Sequence, residues 1–346
     1  MRISKFDFKI PLELIAQKPI SPRDNARLLS IGKTLRDLSI KDIPELIRPN
    51  DVLVVNNTKV LPARLNGRKV NGTKIQVTLL KPCCSDRWMA LARPARKLRI
   101  GDKIFFAPNF FCNVVKKNPD GQITLNFSLS QKDLKSALRD HGSLPLPPYI
   151  KRKEYGGNAD FEDYQTLFAK KPGAIAAPTA GLHFTPRLIQ NIKKAGAKII
   201  PLTLHVGAGT FLPVKTDDIN KHKMHSEWGE ISKNSANIIN ATKKDTGRII
   251  AIGTTSLRLL ETAAEKDGRV LPFSGETDIF ITPGYNFKIV DALLTNFHLP
   301  RSTLFMLVSA FSGLETMKAA YAHAISNNYR FYSYGDACWL EGKKIK

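Results

Sequence analysis

The feature that most constrains the fold is a change of rhythm in the apolar pattern. Residues 51–55 form a compact apolar run between Pro49 and the pair Asn56-Asn57, which reads as a buried strand ending in a functional turn. From residue 61 to 150 the pattern breaks into short strand-like runs at 75–80, 88–92, 103–106 and 122–127, separated by turn formers such as Asn71-Gly72 and Pro119-Asp120-Gly121. That pattern predicts a small all-β domain. A helix-like segment follows at 131–140, and then the run Leu144-Pro145-Leu146-Pro147-Pro148-Tyr149, which cannot be helical and reads as a stiff connector.

Beyond residue 161 the rhythm becomes strand, turn, helix. Strands are expected at 174–177, 198–204, 248–252, 278–282, 289–294 and 330–334, and helices at 186–195, 235–244, 256–266, 303–311 and 314–326. Such alternation predicts a parallel sheet or barrel. Because the strand at 51–55 precedes the β-rich stretch while its partners follow it, the simplest architecture is α/β, a barrel-like main domain of residues 1–60 and 151–346 with a barrel-like β domain, 61–150, inserted. No internal repeat interrupts this reading.

Charge separates the two parts. The chain has 53 Lys and Arg against 30 Asp and Glu, net +23. Residues 61–150 hold sixteen Lys and Arg, five Asp and no Glu, so a quarter of the chain carries almost half of the excess. A surplus of this size calls for a polyanion. Its densest cluster is Arg93, Arg96, Lys97 and Arg99, continued across the connector by Lys151, Arg152 and Lys153; each of these is read either as an RNA contact or as part of a solvated face.

Residues 1–19 interleave Lys5, Asp7, Lys9 and Glu13 with apolar residues, unlike a secretory signal. The longest apolar stretch, 304–311, is too short to span a bilayer. A cytoplasmic protein is expected. Cys83, Cys84, Cys112 and Cys338 show no CxxC spacing and read as reduced structural thiols rather than a zinc site.

Polar residues and glycines gather at the ends of the expected α/β strands, where parallel folds assemble active sites. Four turns stand out: residues 177–183 with Thr179 and His183, 205–211 with His205, Gly207, Gly209 and Thr210, 253–258 with Thr255 and Arg258, and 291–300 with His298. Gly207-Ala208-Gly209 starts like a dinucleotide fingerprint, but Leu212 stands at the third glycine, so a Rossmann reading fails. Its backbone amides either bind a carboxylate or phosphate or simply make a turn. In His222-Lys223-Met224-His225-Ser226-Glu227 the spacing matches no metal motif; His225 and Glu227 form either an acid-base pair or a structural one. The aromatic run 329–334 beside Arg330 either offers stacking surfaces for bases or packs as an ordinary strand. Asp336, after a glycine, is an acid-base candidate or a turn cap.

Together these segments resemble the S-adenosylmethionine:tRNA ribosyltransferase-isomerase family of queuosine biosynthesis. The resemblance runs nearly end to end. It covers residues 8–23, the motif Val55-Asn56-Asn57-Thr58-Lys59-Val60-Leu61-Pro62-Ala63-Arg64-Leu65, 145–150, Tyr164-Gln165-Thr166, all four turns, Met224-His225-Ser226-Glu227, 307–311 and 329–337. Gln76, where the family often has Glu, and Cys338-Trp339 depart from the pattern, both outside the polar turns.

The resemblance implies transfer and isomerisation of the ribose of S-adenosylmethionine onto 7-aminomethyl-7-deazaguanine at the tRNA wobble position, giving epoxyqueuosine, adenine and methionine. S-adenosylmethionine is then a co-substrate and no metal or other cofactor is expected. A monomer or weak homodimer is expected. Proton transfer falls to some of His205, His225, Glu227, His298 and Asp336. Substrate contacts fall to Asn57, Arg64, Thr179, His183, Gly207, Gly209, Thr210, Thr255, Arg258, Asp278 and Tyr332, and tRNA contacts to Arg93, Arg96, Lys97, Arg99, Lys151 and Arg152. The rivals are a non-catalytic RNA-binding protein, against which the polar turns argue, and a methyltransferase, against which the missing fingerprint argues.

Overall fold

The computed structural model describes residues 1–342 except 85, 119–120, 153–157, 208, 210–213 and 215. The chain opens with three short 3-10 turns, then pairs β1 (Arg27–Ile31) with β2 (Leu35–Ser39) as an antiparallel hairpin. The short helix α1 (Ile43–Leu46) leads into β3 (Val52–Asn56), whose five residues are all buried. β4 (Thr58–Val60) follows. Next come β5 (Arg64–Lys69), β6 (Lys74–Pro82), β7 (Arg87–Arg93), β8 (Lys103–Ala107), β9 (Phe110–Lys117) and β10 (Ile123–Phe127), which close into a six-stranded antiparallel barrel.

Alternation explains the barrel. Along β6, β7 and β10 every second side chain points inward, Ile75, Val77, Leu79, Trp88, Ala90, Ala92, Ile123, Leu125 and Phe127, the period-two burial of a strand with one wet face. Helix α2 (Gln131–His141), capped by the Ser130 side chain, adds Leu134 and Leu138 to that core.

The chain then returns through α3 (Asn158–Asp163), β11 (Lys171–Ala174), α4 (Pro186–Lys194), β12 (Lys198–Leu204), β13 (Glu227–Ile231), α5 (Lys233–Lys244), β14 (Ile249–Ile252), α6 (Thr254–Ala263), β15 (Phe273–Thr277), β16 (Ala292–Asn296), α7 (Thr303–Ser312), α8 (Leu314–Ser326) and β17 (Ala337–Glu341). Nine strands form one mixed sheet in the order β15-β13-β12-β3-β14-β16-β17-β1-β2. Its centre, β12, β3, β14 and β16, is parallel. Both faces are covered. Leu53, Val55, Ile250 and Ile252 pack with Leu188 and Ile192 of α4, while Val52, Val54 and Ala251 pack with the opposite layer of α5 to α8. This is why the central strands read as continuous apolar runs.

The α/β class and the inserted β barrel match the expectation. The main sheet itself is open, with β15 and β2 as its edges, where the sequence pattern predicts a barrel-like closure. The strand β17 turns antiparallel to β16, and this reversal leads the sheet out to the β1–β2 hairpin rather than round to β15. Three expected strands are displaced: β11 ends at Ala174, where a strand over 174–177 is expected to begin. Residues 278–282 follow β15 rather than forming it, and 330–334 form a turn before β17, because Tyr332 sits at φ 70°, which ends an extended run. Residues 144–150 are more than a connector: Leu144, Leu146 and Ile150 are buried in the main core. Among the described residues no helix is long and apolar enough to cross a membrane.

Candidate active site

The parallel strands β3, β12, β14 and β16 deliver their C-terminal ends to one side of the sheet, the side where open α/β folds place ligands. A cleft lies there, with about 780 Å³ of empty space when its open mouth is counted. Ala177 to Ala180, Val206, Gly253 to Thr255, Arg258 and Thr295 to Leu299 line it, facing Tyr149, Tyr164, Tyr332 and Ser333.

Asn56 holds the strand ends together. Its Nδ2 donates to the Leu204 carbonyl at 2.9 Å and to Thr255 Oγ1 at 3.3 Å, and its Oδ1 accepts from the Leu204 and Thr58 amides, both at 3.1 Å. Helix α6 begins at the cleft. Its N-cap, Gly253, has φ 86° and no side chain to cap the helix, so the first amides of α6 stay open to a ligand at the positive end of the helix dipole.

One turn inside α6, Arg258 is 3 % exposed. Its Nη1 pairs with Glu227 Oε2, and the other Glu227 oxygen accepts the Gly207 amide at 2.8 Å. The Arg258 Nη2 is buried with no partner among the described residues. A charged donor left unmatched in a buried cleft is costly until an anion or carbonyl meets it, so this edge is a candidate for holding one.

His298 is buried and hydrogen-bonds Thr295 Oγ1 at 3.0 Å, and burial lowers it to about 3. It is a neutral imidazole near pH 7. Across the cleft Tyr332 and Tyr149 form an aromatic wall, centroids 4.7 Å apart, with the Tyr149 hydroxyl 2.7 Å from Ser333 Oγ.

Of the residues expected at the site, Thr179, Thr255, Arg258, His298 and Tyr332 meet in this cleft. Glu227 and Gly207 stand behind it through Arg258. His183 is buried behind Asn296, 3.3 Å from its amide nitrogen. His205 lies beside the cleft, stacked on Trp228 at 5.2 Å, with Nδ1 2.8 Å from Thr58 Oγ1; burial lowers its pKa. Its ring covers Gly173, where a Cβ would come within 2.5 Å of Cε1, so any larger residue would push the imidazole away.

The remaining candidates fall elsewhere. His225 is exposed over Gly209, and His222 packs on Phe280; Glu227 goes to Arg258 instead of to His225. Asn57 Oδ1 accepts from Thr203 Oγ1 at 2.7 Å, and Arg64 Nη2 donates to the Leu146 carbonyl at 2.8 Å. Asp278 is exposed on the loop after β15. Asp336 accepts the Arg27 amide at 3.0 Å and the Arg330 amide at 2.8 Å, one on each oxygen, the arrangement of a turn clasp. Thr210 lies outside the described residues. Among those residues no group of three or more His, Cys, Asp or Glu is placed to hold a metal ion. Cys83, Cys84, Cys112 and Cys338 are free thiols.

Sequence reasoning passed over Asn56, Tyr149, Tyr164 and Asn296. A signal existed for Asn296, because an amide at the end of the largely apolar run Ala292-Leu293-Leu294-Thr295 needs buried partners.

The model of the family described as queuosine biosynthesis protein matches residues 3–340. The chain belongs to this family. It is 54% identical over 353 residues to the S-adenosylmethionine:tRNA ribosyltransferase-isomerase of Nitrobacter winogradskyi, covering 98% of both chains. It is 54% identical to that of Parvibaculum lavamentivorans, covering 99% of both. The solved S-adenosylmethionine tRNA ribosyltransferase of Thermotoga maritima aligns at TM-score 0.54 and 32% identity over 97% of this chain and 99% of that one. The chain is thus a queuosine-biosynthesis enzyme of the ribosyltransferase-isomerase type, as the resemblance implied.

In this family member the basic barrel presents Arg93, Arg96, Lys97 and Arg99 to solvent around the β7–β8 connection, and Lys151 is exposed as well. Arg152 differs. Its guanidinium binds both oxygens of Asp160, Nε lying 2.9 and 3.2 Å from them, and Nη1 donates to the Gln17 carbonyl at 3.0 Å. That geometry makes it a local brace rather than a free cation.

Proposed function

We propose that this enzyme transfers and isomerises the ribose of S-adenosylmethionine onto 7-aminomethyl-7-deazaguanine at the wobble position of tRNA, giving epoxyqueuosine-tRNA, adenine and methionine. The observation that carries the reading is the partnerless Nη2 of buried Arg258 at the open N-terminus of α6. A guanidinium edge and a helix N-terminus together suit the carboxylate of the methionine moiety.

With the carboxylate there, the ribose lies toward His298. The sulfonium acidifies the neighbouring 5' C–H bonds, and His298, unprotonated near pH 7, is assigned as the acceptor of that proton, burial keeping its lone pair free while making it a weak base. The electron pair left on C5' opens the ribose ring at its oxygen and through it expels adenine, which takes up a proton. The aminomethyl nitrogen bonds to the freed sugar carbon and gives up a proton, and methionine leaves as a neutral thioether with the C–S electron pair as a ribose oxygen closes the epoxide. His205, half-buried beside the cleft and also lowered by burial, is the second proton-transfer candidate. His225 and Asp336, held away from the cleft, are assigned no step. The reading gives no step to a metal and treats S-adenosylmethionine as co-substrate. The enzyme acts in the cytoplasm as a monomer or weak homodimer.

Mass spectrometry of tRNA after incubation with S-adenosylmethionine tests this. A ribosyl-derived gain with one adenine and one methionine per event is expected, and a gain of a methyl group alone would replace the reading by methyl transfer. The barrel cluster is assigned to the tRNA backbone. Changing Arg93, Arg96 and Lys97 to Gln is expected to lower the slope of log affinity against log salt by about 2 to 3; an unchanged slope would remove the barrel from the interface.

A further inference from the structure

We propose that Asn296 reads the exocyclic amino group of a purine-type base bound in the cleft, and that His183 is the positioning residue that sets the direction in which it reads. The inference rests on the proposed function for the identity of the ligands.

Asn296 ends β16, is 3 % exposed and lines the cleft. Its Nδ2 donates to the Tyr332 carbonyl at 3.0 Å and lies 3.5 Å from the Ser333 carbonyl. The same nitrogen faces His183 Nε2 at 3.3 Å. Turning the amide over would aim Oδ1 at two carbonyls, so the nitrogen is the atom that faces them, and His183 Nε2, facing the same nitrogen, is placed as a third acceptor.

The consequence is an Oδ1 that faces away from them. It is buried and has no partner among the described residues, the same condition as Arg258 Nη2. An acceptor kept empty by its surroundings selects for a ligand N–H. Tyr149 and Tyr332 line the same cleft, and aromatic faces of this kind suit a planar heterocycle. An amino group on the edge of a purine-type ring satisfies both demands. Two sources share that chemistry, the adenine of S-adenosylmethionine and the 7-deazaguanine of the tRNA.

Eight binding measurements decide between them. Wild-type enzyme and Asn296→Ala are each titrated with S-adenosylmethionine and its 6-oxo counterpart, and with tRNA bearing the 7-deazaguanine with or without its 2-amino group. For one source, losing the amino group is expected to weaken binding to wild type about tenfold to a hundredfold and to cost Asn296→Ala little further. Independent losses in both arms would overturn the proposal. If Asn296→Ala does not fold, the wild type decides, because no loss with either altered ligand overturns it equally.

His183→Leu is expected to raise KM for the same substrate about tenfold with kcat held, and His183→Gln, which keeps an acceptor, to restore it. A change in kcat alone would overturn the positioning role. Wild-type turnover on the unaltered substrates keeps the two readings apart, since its absence defeats the proposed function, whereas turnover with independent losses defeats only this inference.

Discussion

Arg258→Met is expected to reduce S-adenosylmethionine affinity at least about a hundredfold and to cost about 3–5 kcal/mol of stability, the penalty of stranding a buried charge. Glu227 would retain the Gly207 amide but lose Arg258, its counter-ion, while remaining buried. Adding Glu227→Leu removes the stranded carboxylate. The double variant is expected to recover most of the stability, because a packed apolar pair can replace a buried ion pair at little cost, while affinity stays lost. Urea unfolding and titration calorimetry separate the two effects. Recovery of S-adenosylmethionine binding in the double variant would show that Arg258 serves the fold alone and that the carboxylate binds elsewhere.

Acidification from pH 7.5 to 5 is expected to remove about 4 kcal/mol of stability through two histidines. His298 is lowered to about 3 by burial, and His183 to about 4 by burial and by the charges of Arg23 and Arg330. Both stay neutral in the folded chain while the unfolded chain protonates near its ordinary value. Stability is therefore fully present above that value and drains away as the pH falls toward the folded-state values. Urea midpoints across this range check the slope. Variants in which Gln replaces either histidine are expected to flatten it by about half each; an unchanged slope in both would mean that other groups drive acid unfolding.

The split between a basic β barrel and an α/β sheet was legible because both rest on local periodicity, as β6 and β3 show. The end of the sheet was not. Residues 330–334 have the composition of a strand, but Asp336 clasps the amides of Arg27 and Arg330 and holds Tyr332 in a left-handed turn, so the strand starts later, at Ala337. The clustering of polar turns pointed to the side of the sheet where the cleft lies, since strand ends converge wherever parallel strands pair. The partners within the site were out of reach. Glu227 stands two residues from His225 yet binds Arg258, 31 positions away on α6. Asn56 and Asn57 look alike in sequence, but strand alternation turns the first toward Thr255 and the second toward Thr203.

The buried course of residues 144–150 has a mechanical meaning. Arg64 and Ser143 exchange backbone hydrogen bonds at 3.0 and 2.8 Å, and Arg64 also grips the Leu146 carbonyl. The first barrel strand is thereby stitched to the chain that leaves the barrel, and that chain carries Tyr149 into the cleft wall. The first strand of the barrel and one wall of the cleft are therefore joined through a few residues of proline-stiffened backbone.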